Sequence, residues 1–212
     1  MSGAPRPPSG LLLLRGAADS AARWAASGLT PVGVAPVGNG WSVLVPTSAA
    51  SAVSKPYDDA MTVLLNRPLP RRLRPAIGVA VIRDQAVVVV VPRRWRAVGR
   101  WLVWQPGTGL VQPGTLPVAR LADLARAAGA TDPSAVALLA DVVHDPRGDA
   151  SAVLGDVLEA LGLPGRELLA GSSPAAELPN GREVEPSPGR ASLFERMVHE
   201  DESWRDEMEG HR

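Results

Sequence analysis

Residues 76–96, AIGVAVIRDQAVVVVVPRRWR, form the most apolar stretch of the 212-residue chain and end in three arginines around a tryptophan. A bilayer span needs about 20 consecutive apolar residues, and Arg83-Asp84-Gln85 cuts this run in the middle. Unbroken valines from Val87 to Val91 point instead to a central strand, buried on both faces and covered by helices. A shift of 45 residues lays Val32-Gly33-Val34-Ala35 on Ile77-Gly78-Val79-Ala80. Both segments then reach a turn, at Gly38-Asn39-Gly40 and at Arg83-Asp84-Gln85, and resume in a Val-rich run closed by proline. Asn-Gly between β-branched runs signals a hairpin, because both turn residues accept positive φ. Two hairpins are expected.

Each hairpin follows a helix-like segment, residues 11–27 for the first and 57–66 for the second, where Asp58 and Asp59 would favour the positive end of the helix dipole. The unit reads as helix plus hairpin, twice. An internal αββ duplication and chance similarity between Val-rich strands are the two explanations. A third strand pair is read in WLVWQP and LVQP around Gly107-Thr108-Gly109.

The period then becomes helical. Val118, Leu121, Leu124 and Ala128 share a face before Gly129. Asp132-Pro133 opens a second helix, ended by Asp145-Pro146-Arg147-Gly148, and Asp149 or Ser151 caps a third that carries Val153, Leu154, Val157, Leu158 and Leu161. A short turn over 166–170 closes the folded part. The expected fold is α+β: an antiparallel sheet of two or three hairpins with helices on its faces, and a C-terminal helical group packed against one end. Residues 1–10 read as a flexible N-terminus and 11–170 as one domain, with hairpin and helix repeats over 11–112 and a helical part over 113–170. Residues 171–190, rich in Pro and Gly, read as a linker, and 191–212 as an acidic amphipathic tail helix.

Composition narrows the function classes. Apolar residues make up 45% of the chain but aromatics only 4%, so the core must be built from Val, Leu and Ala. The absence of cysteine removes disulfides, thiolate metal sites and nucleophilic Cys chemistry. All basic residues but Lys55 are arginine, a bias that fits a GC-rich bacterial genome. The four leucines at 11–14 fall short of a signal-peptide core of roughly 7–15 apolar residues. A soluble, cytoplasmic protein without a membrane segment is expected, its oligomeric state open and a homodimer allowed.

Net charge is zero, yet residues 1–100 carry +9 and 101–212 carry −9. No phosphate loop, dinucleotide fingerprint, H-E-x-x-H, C-x-x-C or G-x-S-x-G elbow occurs. No cofactor, catalytic residue or metal site is assigned. The best titratable cluster is Asp141, His144, Asp145 and Asp149, of which Asp141, His144 and Asp145, spaced i, i+3, i+4, could aim an imidazole and two carboxylates from one helix face at a divalent ion. A helix C-terminus with a stop signal explains the same residues. Tyr57-Asp58-Asp59 could be an acid/base group but reads first as a helix start, and His199 and His211 read as solvated tail residues.

Two surfaces remain. Nine arginines crowd residues 67–100 beside the single acid Asp84, with Trp95, Trp101 and Trp104 interleaved. Guanidinium groups neutralise phosphates and indoles stack on bases, so single-stranded nucleic-acid binding through Arg71, Arg72, Arg93, Arg94, Trp95 and Arg96 is one reading. Gatekeeping of strand edges is the other. The two helices after 118 resemble a helix-turn-helix only in spacing, because PSAVALLADVVH offers no Arg, Asn or Gln to base edges. In the tail, Leu193, Phe194, Met197, Trp204 and Met208 fall on one helical stripe after a capping-box spacing at Ser192 and Glu195. The expected role is a non-catalytic interaction or adaptor protein, binding a protein partner through that stripe and the Arg-rich surface. Single-strand binding and an enzyme of unrecognised type are the alternatives.

Overall fold

Leu11, Leu12, Leu13 and Leu14 are all buried, and a helix at the surface of a domain cannot bury four consecutive residues. The computed structural model, which describes residues 10–53, 55, 57–94, 97–130, 132–169, 174–187, 189–190, 192–194 and 196, places them in strand β1 (Gly10–Arg15). Leu11 and Leu13 enter the core on one face of a sheet, and Leu12 and Leu14 the core on the other. The helix expected over 11–27 is therefore confined to α1 (Ala18–Ala26). The correction has a simple cause: an unbroken apolar run has no period, and a strand covered on both faces is the element that buries all of it.

Three hairpins follow. They are β2 (Val32–Pro36) with β3 (Trp41–Pro46), β4 (Ala76–Ile82) with β5 (Gln85–Val91), and β6 (Arg100–Gln105) with β7 (Gly109–Val111). Helix α2 (Ala60–Asn66) lies between the first two. Gly38, Asn39 and Gly40 take positive φ in the first turn, as do Arg83 and Asp84 in the second. Together with β8 (Arg182–Val184) these strands form one antiparallel sheet in the order β7-β6-β5-β4-β1-β3-β2-β8. Strand β1 sits between the hairpins, with Leu13 opposite both Val43 and Ile77.

The residues matched by the 45-residue shift face opposite sides. Val32 and Val34 pack in one core, and their counterparts Ile77 and Val79 in the other. Helices α1 and α2 nevertheless cover the same face, so the sequence match does not extend to a superposition of the two helix-hairpin units.

The second face is covered by α3 (Leu121–Ala128), α4 (Pro133–His144), α5 (Ala150–Ala160) and α6 (Arg166–Leu169). These helices lie across a face and not against one end, with α5 over β4 and β5. Their starts are fixed by side-chain caps: Asp132 accepts from the Ser134 N–H, and Asp149 from those of Ser151 and Ala152, each at 2.9 Å. Each such cap contributes about 1 kcal/mol. Helix α3 begins later than the sequence suggests, because Val118 forms a parallel bridge with Trp101 and stays exposed.

The stretch expected to be a linker also belongs in part to the sheet. After a 3-10 turn (Ala175–Glu177), β8 (Arg182–Val184) pairs with β2, placing Val184 opposite Val32. Arg182 binds Asp19 of α1 at 2.6 Å, and the Ser187 N–H donates to the Ala26 carbonyl. Among the described residues no helix is long and apolar enough to cross a membrane.

Candidate functional site

Both sheet faces are filled by aliphatic side chains and four tryptophans, Trp24, Trp41, Trp101 and Trp104, and among the described residues no buried side-chain nitrogen or oxygen lacks a hydrogen-bond partner. Trp104 is fully buried and donates its indole N–H to the Asp145 carbonyl at 3.0 Å, while Trp101 is 8% exposed. Those two rings pack into the core. The chemistry-bearing groups gather at three surface places.

The first is the end of α4. His144 Nδ1 lies 2.7 Å from the Ala140 carbonyl, and Asp149 is occupied as the α5 cap. Asp145 accepts from the Arg147 side chain and backbone, which hold its carboxyl well below the usual range, at about 2. Arg147 is raised by the same pairing. Among the described residues no group of three His, Asp or Glu could hold a metal ion. Tyr57-Asp58-Asp59 resolves in a similar way: Asp59 caps α2 by accepting the Thr62 N–H at 2.6 Å, and the Asp58 carbonyl accepts the Ser51 N–H.

The second place is built by strand register. Leu14 opposite Ala76 puts Arg15 beside Pro75, whose carbonyl accepts the Arg15 N–H. Ala76 opposite Val91 brings Pro92, Arg93 and Arg94 to the same end of the sheet, and Val90 opposite Arg100 adds the start of β6. The last turns of α3 close the side with Arg126 and Gly129. The result is a cleft of about 360 Å³ lined by Arg15, Arg93, Arg94, Arg100 and Arg126 around one acid, Asp123. Asp123 is shared, paired with Arg100 and, at 3.4 Å, with Arg126. Arg15 lies over the Trp41 ring, 5.3 Å from its centroid, a cation–π contact that fixes its direction. The Arg74 side chain braces the rim, donating to the Leu69 and Arg94 carbonyls. Arg71 and Arg72 sit on the 3-10 turn Arg71–Leu73 next to Gly16, so four of the six residues proposed for nucleic acid share this end of the sheet. Trp95 and Arg96 lie outside the described residues.

The third place is an apolar groove of about 370 Å³ lined by Leu29, Tyr57, Val63, Pro68, Leu193 and Phe194, among others. Phe194 meets Tyr57 edge to face with ring centroids 5.2 Å apart. At one side Arg67 stacks on Trp24, 4.1 Å from the ring centroid, and donates to Ser27 Oγ at 2.8 Å. Glycine at position 28 permits this, since a Cβ there would lie 2.4 Å from the guanidinium. Burial, followed by the charge of Arg190, lowers Arg67 to about 10, so it remains a cation at neutral pH. Leu193 and Phe194 thus line a groove of the body, whereas Met197, Trp204 and Met208 lie outside the described residues.

The sequence alone did not point to Arg15, Arg100, Asp123 and Arg126 as partners of Arg93 and Arg94. They are separated by tens of residues, and only the pairing of β1, β4, β5 and β6 unites them. No family model, curated protein or solved structure matches the chain.

Proposed function

We propose that this protein is a non-catalytic cytoplasmic interaction protein, an adaptor that meets a protein partner through its acidic C-terminal segment, with the arginine-rich sheet end as a second contact. The observation that carries this reading is the return of the chain to its own body at Phe194, in an apolar groove flanked by Arg67 and Arg190. A segment tethered there starts from a fixed point on the surface, which lowers the entropy lost when the rest of its stripe docks into a partner's groove. Tyr57 and Leu193 remain 44% and 45% exposed, leaving apolar surface for such a partner.

The experiment is a co-purification comparison between the full chain and a chain ending at Pro188, which keeps β8. The truncated chain should retain its melting temperature within a few degrees and lose its partner. Retention of every partner would refute the reading. Single-strand binding is supported by the grouping of Arg71, Arg72, Arg93 and Arg94, but base stacking would fall to Trp95, since Trp101 and Trp104 are packed inside. Binding whose affinity falls steeply with salt, with a log–log slope near −0.7 per phosphate contact, would favour it.

A further inference from the structure

Five guanidinium groups around one carboxylate is an arrangement in which like charges repel, and the fold holds it in place from four strands and a helix. Arginine stays protonated at any physiological pH, so the repulsion cannot be relieved by loss of a proton. Asp123 answers Arg100 and Arg126. Among the described residues no acid lies within ion-pair distance of Arg15, Arg93 or Arg94, and each is exposed. Three cations with no acidic partner among the described residues face a concavity whose volume is near the lower end of the range of about 300–1,000 Å³ for small-molecule sites.

We propose that this cleft binds a small molecule carrying a diphosphate group. The planar guanidinium fork pairs two donors with two phosphate oxygens, and a diphosphate carries about as many negative charges as the cleft has cations with no acidic partner among the described residues. The stacking of Arg15 on Trp41 and the Asp123 bridges to Arg100 and Arg126 orient three of the forks before the ligand arrives, which reduces the entropy that binding costs. A nucleic-acid strand fits less well. Such a ligand needs a groove that tracks its backbone and exposed rings for its bases, whereas α3 closes this cleft on one side and no aromatic side chain lines it among the described residues. This site is separate from the groove at Phe194; the adaptor reading uses the same sheet end as a second contact, but small-molecule binding here stands without that reading.

The test is calorimetric titration of the full chain with inorganic pyrophosphate at low and at physiological salt, with a short oligothymidine as competitor. Saturable one-to-one binding is expected, weakened about tenfold or more by the double substitution Arg93→Ala, Arg94→Ala. The charge-conserving pair Arg93→Lys, Arg94→Lys should fall between the two. Arg23→Ala, which removes an exposed arginine on α1, should leave the affinity unchanged. Absence of saturable binding at low salt, an equal loss in the Arg23 variant, or tighter binding of the oligothymidine would each overturn the proposal.

Discussion

Replacing Gly33 by alanine should have opposite signs in two accounts of residues 171–190. In a strand with nothing packed on it, alanine in place of glycine stabilises by about 0.5–1 kcal/mol, because the unfolded chain loses fewer conformations on folding. Here a Cβ at position 33 would lie 2.8 Å from the Ala176 backbone nitrogen and 3.2 Å from the Ala175 Cβ. Backbone cannot swing aside like the end of a long side chain, so the 3-10 turn must lift from the sheet. Ala175 is buried, and the β8 pairing and the Arg182–Asp19 ion pair lie just beyond it. Overpacking of this kind costs about 1–3 kcal/mol, so the net effect is a destabilisation of about 1–2 kcal/mol. In a chain of this length that corresponds to a fall in Tm of roughly 2–8 °C. Thermal and urea unfolding measure the change, and limited trypsin digestion reads it locally as faster cleavage after Arg182. A higher Tm with unchanged cleavage would refute the docking of this segment.

Leu13→Ala and Leu14→Ala should each cost about 2–5 kcal/mol in urea unfolding, because both side chains are fully buried but on opposite faces. A surface helix would spare one of them. Asp149→Ala should destabilise by about 1–2 kcal/mol through loss of the two N–H bonds that start α5, with Asp149→Asn recovering most of it. Asp145 is held low by Arg147, so whatever stability it adds is present above the ordinary carboxylate range and is lost as pH falls through about 2. That contribution is small because the pair is exposed. NMR titration should find the Asp145 carboxyl midpoint near that value, and Arg147→Ala should raise it part of the way toward the ordinary value of about 3.9, since the backbone N–H at position 147 still donates. An unchanged midpoint would contradict the assignment of cause.

Much of this fold could be read from local pattern. Hairpins β2–β3 and β6–β7 carry Asn39 and turn glycines that favour their positive φ, whereas Arg83 in the β4–β5 turn takes a positive φ its residue type does not favour, and Asp132, Asp149 and Gly129 mark helix ends where expected. What local pattern misses is decided by tertiary pairing. Leu11 to Leu14 hold no period that separates strand from helix, and only cover on both faces makes them a strand. Strand β8 has a single apolar residue, Val184, and owes its place to the open backbone of Gly33 and the reach of Arg182 to Asp19. The arginine cleft is nonlocal for the same reason. Arg93 and Arg94 were conspicuous in sequence, but Arg15 joins them only because β1 enters the middle of the sheet.

The sheet that β1 centres is covered on both faces, so every valine of 87–90 is buried, alternately on one face and the other. Amide hydrogen exchange tests it most directly. The amides of residues 11–14 should exchange as slowly as those of 87–90, only on global unfolding, while those of 182–184 at the sheet edge exchange faster. Exchange of residues 11–14 at the rate of the edge strand would contradict it.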